Sequence, residues 1–242
     1  MKVVLFVPCD VDQFSPHTAT NLTKLLSSIG VDWRYDADQT CCGRCLYCSG
    51  DRDGAKALGE KMLERYEKDE YVVSCGSGCV AYMRRNFEAL FRNTASHNIH
   101  EAFTRKLMDA TDFLVNVAHY LPSGKRFPHR VAYMDHCATL HDYGLCKEPR
   151  QLLEALEGLE LLEMEDKVAC CGQGGLFSHR FAPVAAEMAS RKVQCALAAG
   201  ADYLASTEMS CLLHLNAFCT KNKLPLKCVH VIDILAEASN LI

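Results

Sequence analysis

The chain has fifteen cysteines among its 242 residues, and their spacing sorts most of them into two ladders. The first runs from Cys9 to the vicinal pair Cys41-Cys42 with Gly43, then to Cys75 and Cys79. The second runs from Cys137 to Cys170-Cys171-Gly172 and ends at Cys211. Four soft thiolates drawn from three separated segments suit an iron–sulfur cluster or a cysteine-only zinc site. Neighbouring residues of a regular strand point to opposite faces, so vicinal thiols share a site only in a turn. Gly43 and Gly172 supply the positive φ and close backbone approach that such a turn needs. Vicinal ligands can serve different irons of one cluster, which a single zinc ion does not require. Only Cys42, Cys45 and Cys48 have the CxxC spacing of a zinc knuckle. A cluster is the leading expectation, with zinc as the alternative.

Composition narrows the classes. A disulfide scaffold is excluded by the odd cysteine count and by a chain long enough to bury a core without staples. The apolar run before Pro8 is too short for a signal peptide or a membrane span, so a cytoplasmic protein is expected, with any membrane association peripheral and through partners. A net charge of −4 offers no basic stripe for nucleic acid. No GxGxxG or GxxxxGK loop indicates NAD or another nucleotide.

The ligands need elements to position them, and these come in two copies. The run Lys2 to Cys9 returns as Arg130 to Cys137, Cys41-Cys42-Gly43 as Cys170-Cys171-Gly172, and Gly78-Cys79, more weakly, as Ser210-Cys211, all at nearly one offset. Ser15-Pro16 predicts the start of a helix carrying Leu22, Leu25, Leu26 and Ile29, capped by Gly30 and followed by a strand over Val31 to Tyr35. Ala182 to Ala199, Gly200 and a strand over Ala201 to Ser206 repeat the scheme. Further helices are expected over Ala55 to Tyr66, Ala81 to Phe91 and Arg150 to Glu157. The fold class is therefore α/β: two tandem homologous βαβ-type, Rossmann-like halves with mainly parallel sheets, related by pseudo-two-fold symmetry. They are expected as domains over residues 1–122 and 123–242, with the boundary in Leu121 to Pro128.

The duplicated pattern, with Gln39-Thr-Cys-Cys-Gly43, Gly76-Ser-Gly-Cys79, Asp112-Phe-Leu-Val-Asn116 and Cys170-Cys-Gly-Gln-Gly-Gly175, resembles the CCG domains of heterodisulfide reductase B subunits and glycolate oxidase iron–sulfur subunits. The resemblance to the lactate utilisation A family covers nearly the whole chain. It implies an iron–sulfur subunit of a complex that oxidises L-lactate to pyruvate, working with a ferredoxin-like subunit and a third lactate-utilisation subunit. It also implies clusters, expected as [4Fe–4S], on Cys9, Cys41, Cys42 and Cys79 and on Cys137, Cys170, Cys171 and Cys211.

Cys45, Cys48 and Cys75 depart from that pattern, and Cys75 is a candidate fifth ligand of the first set. Cys146, Cys195, Cys219 and Cys228 read as packing thiols. His136, His141 and His214 are candidates for a ligand or proton donor, and Ser77 and Ser210 for hydrogen bonds to cluster sulfides. Two other functions compete: a heterodisulfide or thiol–disulfide reductase module, favoured by a five-cysteine set, and a zinc-stabilised binding module without redox chemistry.

Overall fold

Each half builds a four-stranded sheet in which every strand is parallel to its neighbours, in the order β2-β1-β3-β4 and then β6-β5-β7-β8. The structure, a computed structural model, describes residues 2–166 and 169–242. The first half comprises β1 (Lys2–Phe6), α1 (Cys9–Phe14), α2 (Pro16–Ser28), β2 (Asp32–Tyr35), α3 (Arg44–Ser49), α4 (Arg52–Arg65), β3 (Tyr71–Ser74), α5 (Ser77–Phe91), α6 (His97–Lys106), β4 (Leu107–Asp109) and α7 (Ala110–Asp112), which continues as a π-helical turn over Phe113–Val117. The second comprises β5 (Arg130–Tyr133), a π-helical turn over Thr139–Tyr143, α8 (Lys147–Glu154), β6 (Glu160–Leu162), α9 (Phe177–Arg180), α10 (Ala182–Ala198), β7 (Tyr203–Ser206), α11 (Met209–Lys221), β8 (Lys227–His230) and α12 (Val231–Ala238).

Parallel neighbours need a crossover between them, and the helices that supply it cover the sheets. The central strands accordingly read as unbroken apolar runs: Val3, Val4, Leu5 and Phe6 are all buried. The edge strand β2 is exposed throughout and carries Asp32 and Arg34, charges that discourage edge-to-edge pairing.

The expected two-half α/β architecture is present, and the helix stops fall where glycine was expected to make them. Gly30 (φ +74°) and Gly200 (φ +82°) are left-handed. Helix starts differ. α4 begins three residues before Ala55 because Asp51 accepts a hydrogen bond from Gly54 N at 2.9 Å. The helix expected over Arg150 to Glu157 runs from Lys147 to Glu154. Pro16 occupies the first turn of α2, whereas Ser15 makes no side-chain cap bond.

Two apolar clusters fill the molecule. One lies under α4, α5 and α6, where Phe87 packs edge-on to Phe91 and stacks on Phe103. The other is continuous across both halves, from Leu22, Leu25 and Leu26 of α2 to Ile232 and Leu235 of α12. The α2–α12 contact is fixed by Asp233, which accepts bonds from Thr18 Oγ1 and Asn21 Nδ2, both at 2.8 Å.

At the end of β4, Asp109 is buried. Its Oδ1 accepts from Thr111 N and Oγ1, while Oδ2 has no partner. Burial pushes this carboxyl up from 3.8 to about 7, against the pull of the Thr111 bonds. A raised acid contributes stability below the unfolded-chain value that is lost as pH climbs through the folded one. Asp109→Asn should therefore flatten a decline in unfolding free energy between about pH 4 and pH 7. Urea titrations across that range would show it; identical slopes in the two proteins would reject the assignment.

Candidate metal centre

In an order such as β2-β1-β3-β4, the chain leaves β1 toward one side and β3 toward the other, which opens a crevice at their carboxyl ends. Cys9 begins α1 just beyond β1, and Cys79 lies in the first turn of α5 just beyond β3. Cys41 and Cys42 arrive on the loop after β2. Gln39 ties that loop to the β1 end, accepting from Val7 N at 3.0 Å and donating to Val7 O. In the second half Cys137 follows β5, Cys170 and Cys171 follow β6, and Cys211 lies in the first turn of α11.

The structure brings each expected set of four together. Cys42 Sγ stands 3.3 Å from Cys79 Sγ, and Cys171 Sγ 2.8 Å from Cys211 Sγ. The glycines act as expected. Gly43 (φ +86°) presses on the α4 backbone, where a Cβ would come within 3.3 Å of Ala55 O, and a Cβ on Gly172 (φ +92°) would come closer still, within 2.8 Å of Ala185 O of α10. With the turn seated against the helix, the second cysteine of each pair is buried and the first stays more open.

The thiols share protons in the same way on both sides. Hydrogen bonds from Cys42 and Cys9, helped by backbone N–H groups of Gly43 and Cys42, pull Cys41 down to about 2; Cys137 and Cys171, with Gly172 N, do the same for Cys170. The thiols that donate these bonds, Cys9, Cys42, Cys137 and Cys171, are pushed well up. In each quartet the first cysteine of the vicinal pair is thus the acidic member, and the thiols that hydrogen-bond to it are the basic ones. Four thiolates at this range would repel one another unless a multivalent cation stood among them, so the donor set fits a polynuclear iron–sulfur group or zinc.

The remaining candidates fall in different places. Cys45 lines the same cavity as Cys9, Cys41, Cys42 and Cys79, a space of about 190 Å³. Cys48 lies against Gly175 of the other half and lines a groove of about 470 Å³ between the halves. Cys75 is buried in the shared apolar cluster, its thiol pushed up by burial and then by Asp109 and Asp10. Cys219 and Cys228 are also core residues, Cys195 packs on that core, and Cys146 caps α8. His214 Nε2 is 3.2 Å from Ala185 O, and His141 is exposed.

The two serines serve the seam between halves. Ser77 Oγ accepts from Thr139 Oγ1 at 2.8 Å and Thr207 Oγ1 at 3.0 Å, and its N–H reaches Thr207 O at 3.2 Å. Ser210 donates to Glu208 Oε1 at 2.6 Å. His136, buried and held at 2.7 Å from Thr139 Oγ1, has its pKa lowered by burial.

Sequence reasoning missed Glu208. It belongs to the second half but lines the first thiol cavity, accepting from Gly78 N at 2.7 Å and pairing with Arg44 at 3.3 Å. Burial disfavours its charge, yet His136, Arg44 and the bonds from Ser210 and Gly78 hold the carboxyl below its usual range. Asp10, in the same cavity, is pushed up to about 6 by burial and by Glu208. The available signal was position: Glu208 stands three residues before Cys211, where the first copy has Gly76.

These features define a protein of two cysteine-rich domains, and the CCG cysteine-rich domain family matches residues 3–84 and again 131–216. Lactate utilization protein A of Macrococcus caseolyticus is 32% identical over 97% of this chain and 96% of its own length. The proteins of that name from Halalkalibacterium halodurans and Bacillus subtilis are each 31% identical over 97% of this chain, covering 96% and 99% of their own lengths. The chain belongs to the lactate utilization protein A family, built from two CCG domains. A hypothetical protein from Helicobacter pylori shares the fold, with a TM-score of 0.67 at 9% identity over 98% of this chain; the match spans about half of that longer protein, 48%. No helix among the described residues is long and apolar enough to cross a membrane.

Two substitutions test this geometry. Gly172→Ala should cost on the order of 1–3 kcal/mol, because it combines left-handed strain with a clash against the Ala185 carbonyl. Thermal unfolding reads the loss, and a stability equal to wild type would contradict the close approach. Arg44→Met removes the cation paired with the buried Glu208 carboxylate, leaving only the Gly78 and Ser210 bonds, and should destabilise by about 1.5–3 kcal/mol, while Arg44→Lys costs less; equal losses in the two variants would count against the ion pair.

Proposed function

We propose that this protein is an iron–sulfur subunit of a lactate-oxidising complex, with one cluster of [4Fe–4S] type in each half. The observation that carries the reading is the pair of four-thiol sets at equivalent strand ends, in a chain that aligns end to end with lactate utilization protein A. Oxidation of L-lactate to pyruvate releases two electrons and two protons. Clusters held by these cysteines would supply reversible one-electron storage.

The chain's own residues give the two sites different surroundings. Cys9, Cys41, Cys42 and Cys79 hold the first group beside Asp10, Arg44 and Glu208, in a cavity that adjoins the groove carrying Arg44 and Arg180. The second group, on Cys137, Cys170, Cys171 and Cys211, has the buried cation Lys192 nearby, with Cys170 on a smaller cavity of about 110 Å³. We assign the first site to the substrate side, where Arg180 on the adjoining groove suits a small carboxylate while Arg44 is held by Glu208, and the second to the onward path. A ferredoxin-like subunit and a third lactate-utilisation subunit receive the electrons. A heterodisulfide-reductase-like reading has one specific support, the Cys45 thiol on the first cavity as a fifth donor.

Anaerobic purification with iron and sulfide quantitation and EPR of the reduced protein tests the proposal. Cys42→Ser and Cys171→Ser should each remove roughly half of the iron and sulfide, since each deletes a ligand from one of two sites. A colourless wild-type protein with stoichiometric zinc and no labile sulfide would overturn the cluster reading. Turnover of a disulfide, with no reduction by L-lactate in the presence of the other subunits, would transfer support to the second reading.

A further inference from the structure

The helix that carries Cys79 has a second group of ligand-type side chains near its other end. Glu88 lies in the last turns of α5, and the chain reverses through Asn93 in the left-handed region (φ 62°). α6 then opens with His97 and His100, which share a face at i, i+3 spacing. Glu88, His97 and His100 each present one ligand atom, all within 4.8 Å of one another.

The hydrogen bonding at this cluster is incomplete in a specific way. The His100 side chain is 5% exposed and stacks on Phe91, with Nδ1 2.7 Å from His97 O. A carbonyl oxygen only accepts, so Nδ1 carries the proton and Nε2 is left facing Glu88 Oε2 at 3.2 Å. In a neutral ring that sets a lone pair against a carboxylate oxygen. The contact attracts only if a positive centre, a proton or a metal ion, stands between them. His97 favours the metal: its Nδ1 is buried without a hydrogen-bond partner, which a proton on His100 leaves orphaned and a shared cation can satisfy.

We propose that Glu88, His97 and His100 form a zinc-type divalent metal site that staples α5 to α6. Two imidazole nitrogens and one carboxylate oxygen suit Zn²⁺, with water as the fourth ligand. Bonds of about 2.0–2.1 Å place tetrahedral ligands roughly 3.3 Å apart. Closure from a spacing within 4.8 Å falls to Glu88 and His97, whose side chains are 43% and 37% exposed. Arg92 Nε donates to Glu88 Oε1 at 3.0 Å, which leaves Oε2 for the ion. The bond from His100 Nδ1 to His97 O is the kind of outer support that fixes the tautomer of a ligating imidazole. At 1.5 Å per residue the site lies about 13 Å along α5 from Cys79, so it shares no ligand with the thiol quartets.

The test is a Co²⁺ and Zn²⁺ titration of the full chain under anaerobic, reducing conditions, comparing wild type with His97→Gln, Glu88→Gln and His100→Gln. Wild type should bind one more equivalent than each variant, with the thiolate-to-cobalt charge-transfer band unchanged because the cysteine sites are intact. Zinc should also raise the wild-type Tm by roughly 5 °C more than that of the variants. If His100→Gln fails to fold, the two partly exposed positions give the same readout. Equal stoichiometry and equal shifts in wild type and variants would overturn the site and leave a protonated His100–Glu88 ion pair. Because the comparison counts only the equivalent lost with these three residues, it stands whatever metal the cysteines hold.

Discussion

Everything at the two thiol centres depends on a left-handed glycine pressed against the backbone of a helix. Because Gly43 and Gly172 turn the chain at φ +86° and +92°, two adjacent cysteines diverge usefully. One is buried toward the cysteine in the first turn of the helix after the half's third strand, and the other stays open toward the cysteine beyond the first strand. Any Cβ at these positions would push the turn off α4 or α10 and separate thiols that now touch. The sheets, crossovers and helix starts matter to the site chiefly because they bring three such segments to one crevice.

The duplication is close in backbone and unequal in chemistry. Strand order, turn geometry and proton sharing repeat, while the surroundings do not. Glu208 leaves its own half to line the other half's cavity, where it holds Arg44 and the Gly78 amide beside Asp10. Ser77, Thr139 and Thr207 form a hydroxyl chain through the seam next to it. The first site is in this way walled by both halves.

Periodicity, turn glycines and the repeat made the layered architecture and the eight converging cysteines legible in the sequence. Those features are local or recur at a fixed offset, so one chain displays them. The unanticipated parts depend on distance. Nothing near Arg44 announces a partner far along the chain, and nothing near Ser77 says that its hydroxyl faces Thr139 and Thr207 instead of the thiols. The short helices α1 and α3 were hidden because six residues are too few to show an apolar stripe. Cys75 shows the converse: proximity in sequence to Cys79 suggested a shared site, yet its buried thiol does not line the cavity that Cys9, Cys41, Cys42 and Cys79 share.

The seating of α12 on α2 has a consequence for biosynthesis. Asp233 bonds to Thr18 and Asn21 across more than two hundred residues, and Leu22, Leu25 and Leu26 of α2 share one apolar cluster with Ile232 and Leu235 of α12. During synthesis α2 therefore has only the first-half part of that cluster around it, Val3, Leu5 and Val11 among its members, until the second half supplies α12. The wall that Glu208 provides for the first thiols likewise comes from the second half, so the first cavity is complete only once that half has folded against it.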